Sequence, residues 1–317
     1  MTHVGGAAAP PTTPTNGAGA DDAGAGGAGG PVNATGGRRG SLASVLQLTP
    51  SAVYFLVFFG APVSFLIAYS FFTARDFEYV AELTFANYRE AVTSEVFRAF
   101  FLRTFRLAAI ISVIVVLISF PFAYCLNYVF PRRRQTLYFL VLVSLFGGYL
   151  VRIYAWRNIL GRQGVLNNSL ETAGLIDDPI RFFLNSEFAI VLASVNFLIP
   201  LGILPIFSAM QNVPPSLLEA ARDLGASRLR IALTVVLPLT MRGVRAAFGF
   251  AFIAAAAEWV TPQLLGGTGD QMIGNQIAFQ FGGGLDWPLG AALALTLVAA
   301  VVAILSVLFA LLRVVSR

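Results

Sequence analysis

Few side chains in this 317-residue sequence could do chemistry, and their types close most doors. The one cysteine, Cys125, sits in an apolar run, so the chain can form neither an intrachain disulfide nor a cysteine cluster for zinc. The one histidine, His3, lies at the extreme N-terminus, which argues against histidine metal ligands and histidine general bases, and no HExxH or GxSxG string occurs. All 21 basic residues are arginine, so a lysine-bearing phosphate loop of the GxxxxGK(S/T) kind is excluded. No cofactor and no metal is implied, and any use of ATP must fall to a partner. Two acids remain of interest: Glu219, in a polar stretch with a regular pattern, and Glu258, the one carboxylate inside a long apolar block.

The elements that must position these acids are membrane helices. The chain is 57% hydrophobic and 12% charged, against about 45–50% and about 25% in soluble domains. Six apolar segments run approximately over 52–72, 107–129, 137–156, 188–210, 244–265 and 289–312. Each can cross roughly 30 Å of hydrocarbon as a helix. Pro121, Pro200, Pro205 and Pro262 fall within them, which spanning helices tolerate when neighbours satisfy the freed carbonyls. Residues 1–40 are Gly, Ala, Pro and Thr with almost no large apolar residue and are expected to be a disordered tail. A cleaved signal peptide fits poorly, because the first apolar block starts near Ser51 and is too long.

Charge sets the expected orientation. A net charge of +5 in a soluble chain could suggest nucleic acid; in a membrane chain it is a question of sides. With the N-terminus inside, twelve of the 21 arginines fall on cytoplasmic segments, including Arg132, Arg133 and Arg134 in a loop of only a few residues. Those three read as a topology anchor, since polybasic lipid sites need about four to eight charges. Both termini are expected in the cytoplasm, and no nucleic acid partner is expected.

The stretch 211–243, between the fourth and fifth spans, carries the clearest pattern. Ser216 and Glu219 have the spacing of a capping box, with Pro215 just before. Gly225 is the residue type that accepts a left-handed helix end. A second helix is expected from about Ser227 to Pro238. Leu217, Ala220, Ala221 and Leu224 share one mildly apolar face, suited to another protein's groove.

Glu219-Ala220-Ala221, then Gly225, then Val235 and Leu237-Pro238 resemble the EAA loop of binding-protein-dependent ABC importer permeases, with Val235 where the family usually has Ile. Tyr149-Leu-Val-Arg152-Ile-Tyr154-Ala155-Trp156, Val260-Thr261-Pro262, Gly266-Gly267, Met272-Ile-Gly274-Asn275 and Asp286-Trp287-Pro288 look like the first-subunit type of spermidine/putrescine permease. The similarity spans about 51–313. It departs at Ala257-Glu258-Trp259, where that branch tends to have Gly-Asp-Phe. The resemblance implies an all-α integral membrane protein with six transmembrane helices of the type I ABC importer permease class, in a bacterial inner membrane. The transmembrane domain would occupy 48–317. Glu219, Ala220, Ala221, Asp223, Gly225, Leu237 and Pro238 would form the loop that docks on a cytoplasmic ABC ATPase dimer. The implied partners also include a second permease subunit, an extracytoplasmic solute-binding protein and membrane lipid. The chain itself would be no enzyme.

Two roles fit Glu258. It could face a cationic solute in the path, with Trp259 and Tyr154 as aromatic neighbours able to hold ammonium groups. It could equally pair with Arg152 or Arg157 near the end of the third span. Tyr149, Tyr154, Trp156, Trp259 and Trp287 also suit an interfacial aromatic belt. Gly147-Gly148 and Gly282-Gly283-Gly284 mark close packing or turns. Two other classes are the rivals: an ion-coupled secondary transporter, disfavoured by the lack of an internal repeat, and a membrane-embedded enzyme, disfavoured by the missing His, Cys and carboxylate clusters.

Overall fold

The computed structural model describes residues 49–75, 78–80 and 82–315, so the expected disordered tail lies outside the described residues. The chain divides into two units, 1–58 and 59–317. Helix α1, Thr49–Tyr69, begins in the first and ends in the second. Its turn at Leu56–Gly60 is widened to π geometry, because Pro62 has no N–H for the carbonyl of Phe58.

After α1 comes a short antiparallel hairpin, the one strand pairing among the described residues. Strand β1 (Thr73–Arg75) pairs with β2 (Glu78–Val80), and Thr73 faces Val80. The remainder is helical: α2 (Ala86–Thr93); α3 (Glu95–Val129); α4 (Arg134–Leu145); α5 (Tyr149–Leu160); α6 (Val165–Thr172); α7 (Glu187–Gln211); α8 (Pro215–Asp223); α9 (Arg228–Leu239); α10 (Met241–Ala256); α11 (Val260–Leu265); α12 (Ile273–Phe281); and α13 (Trp287–Val315).

Among the described residues four helices, α1, α3, α7 and α13, are each long and apolar enough to cross a membrane, or up to six if each of two bent pairs is one span. Here the structure corrects two expectations of straight spans. The third segment is not one helix over 137–156: α4 and the α5–α6 run, Tyr149–Thr172, meet at 86°. Gly147-Gly148 lets the chain turn, and the Arg152 guanidinium reaches back to the Ser144 carbonyl at 2.6 Å, satisfying one of the orphan carbonyls that end α4. The fifth segment is not continuous over 244–265 either. It stops at Ala256 and restarts at Val260, while its other end turns 77° out of α9 at Thr240.

Three helices, α3, α7 and α10, form the centre. Lipid tails are as apolar as leucine, so close packing and interhelical hydrogen bonds hold such helices together. The contacts are correspondingly tight. A Cβ on Gly202 of α7 would lie 2.6 Å from Val115 of α3, and one on Gly243 of α10 would lie 2.5 Å from the Pro205 carbonyl oxygen of α7. Across the same seam Ser119 Oγ donates to the Ile199 carbonyl (3.2 Å) and Tyr128 Oη to the Met210 carbonyl (3.0 Å). At the opposite end both Arg103 and Arg106 of α3 pair with Glu187, the first residue of α7. Apolar clusters built on Leu107, Ile111 and Leu293, and on Leu126, Ile203 and Ile206, fill the two halves of this centre.

Candidate functional sites: the coupling loop and the Glu258 corner

The first site begins where α7 ends. Helix α8 starts with Pro215 at its first position and carries no side-chain cap. The capping box expected from Ser216 and Glu219 is therefore absent. Proline at that position has a preset φ and no N–H to satisfy, so the helix begins one residue before Ser216 could cap it. Its far end is a Schellman turn. Gly225 has φ +76°, its N–H donates to the Arg222 carbonyl (2.8 Å), and the Ala226 N–H donates to the Ala221 carbonyl (3.0 Å). Nothing lies within 4 Å of a Cβ on Gly225, so glycine is required here by backbone conformation and not by space.

From this turn α9 starts with Ser227 Oγ accepting the Arg230 N–H (3.3 Å). It widens to π geometry over Ala232–Val236, just before Pro238, which has no N–H to offer the Thr234 carbonyl. The faces of α8 differ from the expected one. Leu218 is buried, and with half-buried Ala221 and Ala226 it packs on the cluster of Leu126, Met210 and Ile231. Leu217, Ala220 and Leu224 face outward instead, with Leu224 89% exposed. Glu219 and Asp223 are exposed beside that stripe; Leu237 is half-buried and Pro238 exposed.

The second site lies at the opposite end, around Glu258. Neither arginine expected as its partner is there, since Arg152 is engaged with Ser144 and stacks its guanidinium 5.6 Å from the Phe197 ring. Instead Glu258 Oε1 accepts three donors: the hydroxyl of Tyr149, the N–H of Val260 (3.0 Å) and the N–H of Thr261 (3.1 Å). The carboxylate thus caps α11 and explains the break in the fifth segment, because donors at a restarting helix end need an acceptor that the preceding turn cannot supply. Oε2 has no hydrogen-bond partner among the described residues.

The motif glycines and amides complete the corner. Asn275 donates to the Trp259 carbonyl (2.8 Å) and to Gln263 Oε1 (3.2 Å), while its Oδ1 accepts the Met272 N–H (3.0 Å). A Cβ on Gly274 would meet the Glu258 carbonyl oxygen at 2.9 Å. The Ile273 N–H donates to Thr104 Oγ1 of α3 (2.9 Å), which ties the corner to the central helices. Trp259 is adjacent and 46% exposed. Tyr154 is half exposed on α5, with no hydrogen bond or ring contact to Glu258 among the described residues. The tyrosine that meets the acid is Tyr149. Its presence in the motif was visible in the sequence, but its contact across 109 residues was not.

Residues 91–317 match the family described as binding-protein-dependent transport system inner membrane component. The chain belongs to this family. Among its relatives is the spermidine/putrescine transport system permease protein PotB of Haemophilus influenzae, 33% identical over 254 residues, covering 79% of this chain and 88% of the relative. PotB of Escherichia coli is 33% identical over 245 residues, covering 77% and 88%. The inner membrane ABC transporter permease protein YdcU of E. coli is 31% identical over 265 residues, covering 79% and 83%. In three dimensions the chain superposes on a chain of a bacterial alginate ABC transporter with TM-score 0.71 at 18% identity, covering 88% of this chain and 96% of the other, which shows a shared fold. Membership makes this an inner-membrane permease of the ABC importer class, similar to PotB, and does not favour the ion-coupled alternative.

Proposed function

We propose that this permease is one of two that enclose the solute path of an ATP-driven importer for polyamines of the spermidine/putrescine kind or a related small cationic solute. Solute arrives on an extracytoplasmic binding protein. ATP is hydrolysed on a cytoplasmic ATPase dimer, and its closure is relayed through 211–243, with both chain termini in the cytoplasm. The observation that supports this most is α8: a short helix fixed by the Gly225 turn, buried through Leu218, presenting Leu217, Ala220 and Leu224 outward beside exposed Glu219. Exposed apolar side chains among charges in a helix of this length suit a partner's groove. The polyamine part rests on the relatives and on Glu258, whose Oε2 is free to meet an ammonium group.

The test is reconstitution in vesicles with its ATPase, second permease and binding protein, reading ATP-dependent uptake of labelled spermidine and putrescine. Polyamine uptake that needs all partners is expected. Uptake by this chain alone under an ion gradient would overturn the class, and ATP-driven uptake confined to an anionic solute would overturn the polyamine assignment.

A further inference from the structure

At the coupling-loop end, a cavity of about 560 Å³ opens between the end of α3 and the helices that flank Gly225. Its walls include Tyr124, Tyr128, Arg222 and Arg228. The two arginines stand on either side of the Schellman turn, one on α8 and one on α9, so the Ala226 to Ala221 hydrogen bond that closes the turn also fixes their separation along the backbone. The tyrosines are held in turn. Tyr124 Oη donates to the Arg228 carbonyl (3.4 Å) and Tyr128 Oη to the Met210 carbonyl (3.0 Å). Neither guanidinium pairs with a carboxylate among the described residues, and the acids of α8, Glu219 and Asp223, are not part of the lining. Two unneutralised guanidinium groups on one concave surface repel each other until an anion bridges them, and a planar fork of donors suits the oxygens of a phosphate.

We infer that this cavity binds a phosphate-bearing anion, the headgroup of an anionic phospholipid, clamped by Arg222 and Arg228. Position favours the lipid over free phosphate. The cavity wall includes Val129, the last residue of the spanning helix α3. Three residues further on comes Arg132, within roughly 11 Å of extended chain, followed by Arg133 and Arg134. The fold therefore adds Arg222 and Arg228 to a loop about ninety residues earlier in the chain. Counting Arg132, Arg133 and Arg134, which follow Val129 in the chain but do not line the cavity, five arginines belong to this end of α3, within the range of about four to eight that marks anionic-lipid recognition. Val129 and Phe130, 40% and 51% exposed, offer apolar contact beside the cavity for the acyl chains.

The experiment is native mass spectrometry of the full chain, purified in mild detergent and offered equimolar phosphatidylglycerol and phosphatidylethanolamine. Wild type should retain phosphatidylglycerol in preference by about tenfold, the scale of a lost charge-assisted contact. The double variant R222Q/R228Q should fall to near parity, and R157Q/R162Q on the opposite side should keep the preference. Absence of preference in the wild type overturns the inference whether or not a variant folds. A double variant with wild-type melting temperature and an unchanged preference also overturns it. Inorganic phosphate is the remaining arm: stabilisation of lipid-free wild type by phosphate, without lipid preference, would overturn the lipid assignment.

Discussion

At the coupling-loop end, Glu219, Arg222 and Asp223 stand exposed on a helix whose underside is apolar; at the opposite end Glu258 is half-buried with three donors on one oxygen. The first arrangement leaves charge free and fixes the backbone. The second fixes the charge, and uses it to hold a broken helix together. A site proposed to meet a protein from water can keep its side chains loose, provided the helix that carries them is rigidly aimed. A carboxylate at membrane depth has no such freedom, because an unsatisfied charge there is costly.

The contrast breaks most completely at Gly225. Proline there cannot adopt φ +76° and lacks the N–H given to Arg222, so G225P should abolish ATP-driven uptake while membrane insertion, read by protease protection, is retained. Glu219→Lys should do the same without disturbing the turn. Full uptake by both would remove the docking role. Next in size is the seam joining the two ends. Gly243→Val places a side chain 2.5 Å from the Pro205 oxygen and the Ala209 Cβ, and overpacking of this kind costs about 1–3 kcal/mol or more. A clear drop in melting temperature in detergent is expected, with both sites lost together.

Glu258→Gln sharpens the other half. The amide oxygen can still accept from Tyr149, Val260 and Thr261, so folding should survive while uptake of a cationic solute weakens. Unchanged uptake kinetics would leave Glu258 as a cap alone. Tyr149→Phe removes the hydroxyl contacts to Glu258 and to Thr261 Oγ1 (3.1 Å), each worth about 0.5–1.5 kcal/mol in comparable sites, and should lower the melting temperature. The smallest effect belongs to Glu187→Gln. Its pairs with Arg103 and Arg106 are about a third exposed or more, and such pairs are worth about 0–1 kcal/mol. A melting shift near the limit of detection, vanishing in high salt, is expected.

Much of this architecture could be read from residues alone. Apolar length located every span to within a few residues at most ends, and the EAA-like spacing pointed to a helix, a glycine turn and a second helix, all of which are present. The breaks could not be read in the same way. An apolar stretch such as 137–156 has the same composition whether straight or bent, and only the Arg152 to Ser144 contact reveals that Gly147-Gly148 is a corner. Glu258 was visible as an oddity, yet its partners depend on a tyrosine 109 residues earlier and on N–H groups freed by a helix end that periodicity did not mark. Ser216 failed as a cap because Pro215 already supplied a start, a competition between two valid local signals. The burial of Leu218 is not legible in α8 alone, because the face it buries is set by α3 and α7.

The close approaches at Gly202 and Gly243 carry a mechanical consequence. Gly202 seats the Val115 and Ser119 side chains of α3 and Gly243 seats the Pro205 backbone of α7, so sliding or tilting at these contacts meets a clash, and α3, α7 and α10 are expected to move as one block. Displacement has to be taken up at the 77° joint at Thr240, the 86° joint at Gly147-Gly148 and the interruption at 257–259. The first joint lies where α9 meets α10, and the other two border Tyr149 and Glu258, so under the proposed docking of α8 a push there would reach the polar corner as a change of angle about a rigid shaft.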